Sequence, residues 1–239
     1  MVYVGGKQKH AKYIVPIIQD YIDKSGYKTY IEPFVGGANI IYKIKAEERI
    51  AFDVNKYLIA FFQAIAEGEL SVFHLPFLSK EVYQDIRANP ERYRDSFVGY
   101  AGSMFGYSGK FFGSYVPEKY YHKRMRNLIK QCYPDGYDRK SLYNALSPIK
   151  FGVSSYDRLN AKRCVIYCDP PYNNTYNYGL KFDSAKFWDW VRDISKKNIV
   201  LVSEQEAPDD FRILWEKEYQ RTIGNANRKV ITERLYILR

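Results

Sequence analysis

The tetrapeptide Asp169-Pro170-Pro171-Tyr172 follows directly on the apolar run Cys164-Val165-Ile166-Tyr167-Cys168. Its residue types suit one task, the holding of an exocyclic amine on a heteroaromatic ring. Such an amine, adenine N6 for example, is a poor nucleophile because its lone pair is delocalised into the ring. A site must draw its hydrogens out of the ring plane and hold the nitrogen in line with an electrophile. Asp169 would accept one N–H and the Pro170 carbonyl the other, while the Tyr172 ring would stack on a base taken out of its helix. The two prolines fix φ, so the acceptors are set before a substrate arrives. No strong base is needed, which agrees with the scatter of His10, His74 and His122, none of them in a recognisable nucleophile setting. A rigid proline turn capped by an aspartate would use the same residues without chemistry. Position favours chemistry, since the carboxyl end of a strand in an open α/β sheet is where ligands bind.

A second constellation, Glu32-Pro33-Phe34-Val35-Gly36-Gly37-Ala38-Asn39, reads as strand, glycine turn and helix. Gly36 and Gly37 let a ligand approach the backbone, and Asp53, at the end of the next short strand, is placed to accept hydrogen bonds from ribose hydroxyls. This is an adenosine-cofactor arrangement, although a purely structural glycine turn has the same spacing. Cys132, Cys164 and Cys168 lack the paired spacing of a zinc site and the number needed for a disulfide framework, so they read as buried free thiols. No metal is expected.

The elements that must position these groups follow from periodicity. Residues 10–24 place Ile14, Ile17, Ile18, Tyr21 and Ile22 at helical spacing, with Pro16 tolerable in the first turn. Residues 29–35 predict a strand, 38–45 a helix through Ile40, Ile41 and Ile44, 49–52 a strand ending at Asp53, and 55–66 a helix through Leu58, Ile59, Phe62 and Ile65. Together they form a βαβα unit of the nucleotide-binding kind. From about 70 to 159 the alternation stops, and five of the fifteen glycines fall between Gly99 and Gly113, so a loop-rich insertion is expected there. The rhythm resumes with a strand over 163–168, a helix over 184–196 capped by Ser184 and packing Phe187, Trp188, Val191 and Ile194, and a strand over 198–203. Residues 208–217 open with a proline and two aspartates, as a helix N-terminus does, and 219–223 with 229–238 predict an antiparallel hairpin through Gly224-Asn225.

A chain of 239 residues makes one sizeable domain, or one domain carrying a smaller insertion. With 46% hydrophobic and 27% charged residues it is neither disordered nor low in complexity. Its apolar runs fall far short of the ~20 residues of a membrane span, and its first residues lack the apolar core of a signal peptide, so a soluble, intracellular protein is expected. Lys plus Arg number 37 against 27 Asp plus Glu, a net charge of +10 that favours a polyanionic partner. Within residues 104–130, Lys110, Lys119, Lys123, Arg124, Arg126 and Lys130 face Glu118 alone and are interleaved with Tyr107, Phe111, Phe112, Tyr115, Tyr120 and Tyr121. Cationic and aromatic groups together suit phosphate contacts and base wedging, although a solvated helix face from about Glu118 onward has the same composition.

In its order of glycine motif, insertion and DPPY tetrapeptide, the chain resembles the Dam-like DNA adenine-N6 methyltransferases. Ile166-Tyr167-Cys168-Asp169-Pro170-Pro171-Tyr172 is similar to the family's signature strand and loop, Gly5-Gly6-Lys7 to its N-terminal cofactor motif, residues 30–40 to its glycine motif, and Asp53-Val54-Asn55 to its acidic motif. The resemblance implies a class I S-adenosylmethionine-dependent, Rossmann-like α/β fold. Residues 1–69 and 160–239 would form the catalytic domain, a mostly parallel sheet with an antiparallel C-terminal hairpin. Residues 70–159 would form a small helical or loop-rich target-recognition insertion. It also implies methyl transfer from S-adenosyl-L-methionine to N6 of a flipped-out adenine in double-stranded DNA. Lys7 would approach the cofactor carboxylate, Tyr3, Phe34, Gly36 and Gly37 would line the cofactor, Asp53 would hold its ribose, and Asp169 would touch both amine and cofactor. Lys110, Lys119, Lys123, Arg124 and Arg126 would contact DNA. Two positions depart from the pattern: Tyr3 stands where relatives often carry tryptophan, and Ala38 where the second glycine of FxGxG is usual. The alternatives are an RNA adenine or cytosine-N4 methyltransferase, or a non-catalytic DNA-binding relative. Kinship further implies a bacterial or phage-encoded cytoplasmic protein and, in restriction–modification, an endonuclease counterpart; a monomer is expected.

Overall fold

A computed structural model describes residues 1–136, 144–171, 182–223 and 227–239. Helix α1, Ala11–Ser25, buries Ile14, Ile18 and Ile22 at four-residue spacing. It ends at Gly26, whose φ of 66° lets its N–H return to the Ile22 carbonyl at 3.1 Å. Pro16 lies inside the helix, past the first turn where it was expected. A mid-helix proline costs a free helix about 3 kcal/mol; here the buried isoleucine face outweighs it.

Strands β1 (Thr29–Glu32) and β2 (Glu48–Asp53) are followed by α2 (Lys56–Ala66), which starts at Asn55, whose side-chain oxygen accepts from the Tyr57 and Leu58 N–H groups. The helix expected over 38–45 does not form. Ala38 takes a left-handed φ of 51° and only a 3-10 turn, Ile41–Lys43, follows. Ile40, Ile41 and Ile44 are buried all the same, so their spacing recorded the inner side of an irregular crossover.

Residues 70–159 are not mainly loop. They hold α3 (Lys80–Ala88), α4 (Asp95–Phe105) and α5 (Glu118–Cys132), then strand β3 (Ile149–Val153). Residues 98–105 of α4 are all buried, and a β-carbon on Gly99 would stand 1.9 Å from the Tyr57 carbonyl oxygen. The glycine there permits close helix packing and does not mark a loop. Strand β3 pairs in parallel with β2, so the boundary expected after residue 159 falls too late: the last part of the segment is a strand of the main sheet.

The remaining elements are β4 (Cys164–Cys168), α6 (Ser184–Ser195), β5 (Ile199–Glu204), β6 (Phe211–Ile223) and β7 (Asn227–Leu238). Asp183, not Ser184, caps α6, its carboxylate accepting from the Lys186 N–H at 3.0 Å. The helix expected over 208–217 is instead the start of β6. That strand pairs antiparallel with β7 from Phe211↔Leu238 onward, with a register shift between Ile213 and Trp215. The long partner strand overrides the local helix-start signal of Pro208, Asp209 and Asp210.

Among the described residues the strands make one seven-stranded sheet in the order β3-β2-β1-β4-β5-β7-β6. The stretch from β3 to β5 is parallel, and β7 runs antiparallel to both β5 and β6. This is a Rossmann-like α/β sheet with an antiparallel hairpin at one edge. Alternation along the strands builds two cores. Tyr30, Val165, Tyr167 and Leu201 join the core shared with α1, α2 and α4, whereas Ile31, Ile166, Val200 and Val202 join Phe187, Trp188 and Val191 of α6. Among the described residues no helix is long and apolar enough to cross a membrane.

Candidate active site

Parallel strands deliver their carboxyl ends to one rim of the sheet. Strand β1 ends in Glu32, β2 in Asp53, β4 in Cys168 with Asp169 next, and β5 in Glu204. The chain leaves β1 for β2 on one side, while β4 lies on the other, so the boundary between β1 and β4 is the switch point at which such a sheet opens a crevice.

Lys7, in a 3-10 turn ahead of α1, reaches into this crevice. Its Nζ lies 2.7 Å from Asp169 Oδ1, 3.1 Å from Glu233 Oε1 and 3.3 Å from the Gly5 carbonyl oxygen. The side chains of Lys7 and Glu233 are each 2% exposed and that of Asp169 is 21% exposed, so one side of the aspartate stays open. The resemblance implies that Lys7 approaches a cofactor carboxylate; in the structure its ammonium lies between Asp169 of the tetrapeptide and Glu233. Glu233 escaped the sequence reading. It lies on β7 between Ile231 and Leu235, all three buried, so it is a charged residue at an inward position of an alternating strand, and that pattern was the available signal.

Burial works against the charged form of Lys7, yet the Asp169 and Glu233 carboxylates outweigh it and raise its pKa above that of an ordinary lysine. Burial pushes the Asp169 carboxyl up to about 6, with Lys7 opposing and Glu233 adding. Burial likewise lifts Glu32 to about 8 against the Tyr30 hydroxyl that donates to it at 2.8 Å, with Asp169 adding to the rise. Glu204 is lifted to about 7, chiefly by burial, against the Gln205 N–H and Lys7. Among the described residues the crevice therefore sets one lysine among four carboxyls, and Glu32 keeps its proton at neutral pH.

At the neighbouring strand ends, Asp53 accepts from the Gly36 N–H at 3.0 Å and the Asn55 N–H at 2.9 Å, one on each oxygen. Burial raises its pKa and these backbone donors lower it. Each carboxylate oxygen can accept a second hydrogen bond. Gly36 has a φ of 46°, and a β-carbon there would stand 3.0 Å from the Tyr3 ring. One on Gly37 would stand 2.8 Å from Tyr3 Cβ, so Tyr3 lies against the glycine turn. Phe34 is half-buried among Tyr156 at 5.3 Å, Phe187 at 5.8 Å and Phe182 at 6.1 Å between ring centres. A carboxylate acceptor, a small-residue turn and an aromatic wall at one rim fit an adenosine-containing cofactor.

Pro170 is buried beside Asp169, and Tyr172 lies outside the described residues. Lys110, Lys119, Lys123 and Arg126 are exposed. Arg124 is not, at 6% exposure; its Nη1 donates to the carbonyls of Met104 at 3.0 Å and Ser103 at 3.4 Å. The expectation that Arg124 contacts DNA is corrected, because it shares the inward face of α5 with Tyr121, Met125 and Leu128. The three cysteines are buried free thiols, as expected.

Residues 3–98 match the family described as D12 class N6 adenine-specific DNA methyltransferase. The Type II methyltransferase M.FokI of Planomicrobium okeanokoites is 24% identical over 91% of this chain, which spans only 38% of that protein's length. The Type II methyltransferase M.CviBI of Paramecium bursaria Chlorella virus NC1A is 28% identical over 89% of this chain and 84% of its own. Among solved structures, the rRNA methyltransferase aviRa from Streptomyces viridochromogenes matches with a TM-score of 0.42 at 14% identity, over 95% of this chain and 84% of that one. The likeness to the D12 class of N6 adenine-specific DNA methyltransferases thus covers residues 3–98, less than half of the chain.

Proposed function

We propose that the protein is a site-specific DNA methyltransferase acting on the N6 amine of adenine in double-stranded DNA, with S-adenosyl-L-methionine as donor. The observation that carries this reading is the placement of Asp169 at the end of β4, beside the switch point, on the same rim as the Gly36-Gly37 turn and Asp53. The donor, when bound, supplies an electrophilic sulfonium methyl. Asp53 would hold its ribose hydroxyls, Phe34 its purine, and Tyr3 with the glycine turn its amino-acid end. Asp169 accepts one N6 hydrogen and the Pro170 carbonyl the other, which turns the nitrogen lone pair towards the methyl. The adenine is flipped out of the duplex and stacked by Tyr172.

Residues 70–148 form the target-recognition part in this reading, with Lys110, Lys119, Lys123 and Arg126 on phosphates. The kinship with M.FokI and M.CviBI, both named Type II methyltransferases, supports a bacterial or phage setting with an endonuclease counterpart. We assign the protein to the cytoplasm as a monomer that needs no metal.

The test is to incubate the protein with unmethylated duplex DNA and labelled S-adenosyl-L-methionine, digest to nucleosides, and identify the labelled base beside an Asp169→Ala control. Labelled N6-methyladenine from the unaltered protein alone is the expected result. Label in cytosine, label only when RNA is supplied, or equal label in the control would overturn the reading.

A further inference from the structure

The Lys7 ammonium, 2.7 Å from Asp169 Oδ1, draws on the negative charge of the carboxylate that is to accept the amine. A buried lysine cannot release its counterion unless another charge is ready to hold it. Glu233 is that charge: it comes from β7, on the far side of β5 from β4, and its Oε1 lies 3.1 Å from the same Nζ. We propose that Glu233 is a positioning residue that shares the Lys7 ammonium with Asp169, so that the cation is not held by Asp169 alone and the Asp169 carboxylate stays a strong acceptor for an N–H of the substrate amine. The role rests on the proposed amine chemistry of Asp169. No covalent bond changes in this role; Lys7 leans towards Glu233, already 3.1 Å away, as the amine N–H adds to Asp169.

The groups around the pair define how it titrates. Lys7 faces Asp169 from the N-terminal turn, Tyr167 from β4 itself, Glu32 from β1, Glu204 from β5 and Glu233 from β7, while His10 adjoins Glu233 and Lys7. Glu233 raises the Asp169 pKa and Lys7 lowers it. Removing the negative charge of Glu233 therefore leaves Lys7 to Asp169 alone, binds that pair more tightly and moves the Asp169 titration to lower pH.

The experiment compares the full chain with Glu233→Gln, which keeps the side-chain volume, and with Glu233→Asp, which keeps the charge on a shorter arm. Three quantities are read: the single-turnover methylation rate against pH, the affinities for duplex DNA and S-adenosylhomocysteine, and the Asp169 titration by carboxyl carbon-13 resonance. Glu233→Gln is expected to slow methyl transfer by ten-fold or more, with both affinities within about three-fold of the unaltered protein. Its acid limb and its Asp169 titration should both lie at lower pH, and Glu233→Asp should recover most of the rate. An unmoved Asp169 titration, an unchanged rate, or a loss of rate matched by equal loss of both affinities in the two variants would overturn the proposal. If the unaltered protein methylates no adenine yet the Asp169 titration still moves, the substrate reading fails while the coupling of Glu233 to Asp169 stands.

Discussion

The Arg124 guanidinium donates to the Met104 carbonyl at 3.0 Å, joining the middle of α5 to the last turn of α4. The last carbonyls of a helix have no partner within it, and a cation there is favourable. Arg124→Met fills similar space but leaves the Met104 and Ser103 carbonyls without this donor. A loss of about 2–3 kcal/mol in unfolding free energy is expected, at the level of a buried charge-assisted hydrogen bond. DNA affinity of the folded fraction should not change. A denaturant melt alongside fluorescence anisotropy separates the two; a variant as stable as the parent but weaker on DNA would return Arg124 to the interface.

The exposed side of the same helix makes the opposite prediction. Lys119, Lys123 and Arg126 project to solvent, and none forms an ion pair in the described structure short enough to hold it in place. Each phosphate contact removed lowers the dependence of log affinity on log salt by about 0.9. Replacing all three by alanine should cut that slope by about 2–3 with little effect on the melt. An unchanged slope across a salt titration would exclude α5 from the DNA-facing surface.

Glu32 offers a test of the crevice that needs no substrate. Its folded pKa of about 8 lies above the 4.5 of an exposed glutamate, so between those values the unfolded chain is ionised while the folded one holds the proton. The contribution of Glu32 to stability must therefore fall with rising pH across that window, by at most about 1.4 kcal/mol per unit, and level off above it. Glu32→Gln resembles the protonated acid and still accepts from Tyr30. Its advantage over the parent should be small at pH 5, grow to pH 8 and then flatten. Unfolding curves at four pH values decide it, and a constant difference would mean that Glu32 is ionised in the folded protein.

Much of this was legible because the signals were local. Asp169 after an apolar strand, Asp53 after a short one and the glycine pair after β1 each announce a strand end, and parallel strands put those ends on one rim. What was not legible depended on distant partners. Residues 208–217 carry a helix-start signal at one end, but β7 supplies a ladder from Phe211 on, and pairing across the chain prevails. The glycines near Gly99 and Gly102 read as loop because sequence alone does not show Tyr57 or Phe111 pressed against them. Glu233 needed the register of β7 before its inward side chain could be tied to a lysine 226 positions earlier, at residue 7.

Gly109 joins the segment before α5 to the glycine turn. Its carbonyl accepts from the Val4 N–H at 3.2 Å, and a β-carbon on it would stand 2.8 Å from Tyr3 Cα, while Tyr3 itself lies against Gly36 and Gly37. Its φ of +76° adds strain to any side chain there. Gly68 has a φ of +80° with nothing within 4 Å of a β-carbon, so Gly68→Ala measures the strain alone, about 1 kcal/mol. Gly109→Ala carries the same strain and must also displace Tyr3, which lies against the turn. It should unfold more easily than Gly68→Ala and bind S-adenosylhomocysteine about ten-fold more weakly than the parent, whereas Gly68→Ala binds normally. Calorimetry on the two variants side by side reads the difference. Equal binding would show that Tyr3 can leave the glycine turn without consequence for the cofactor, and would remove Tyr3 from the cofactor site.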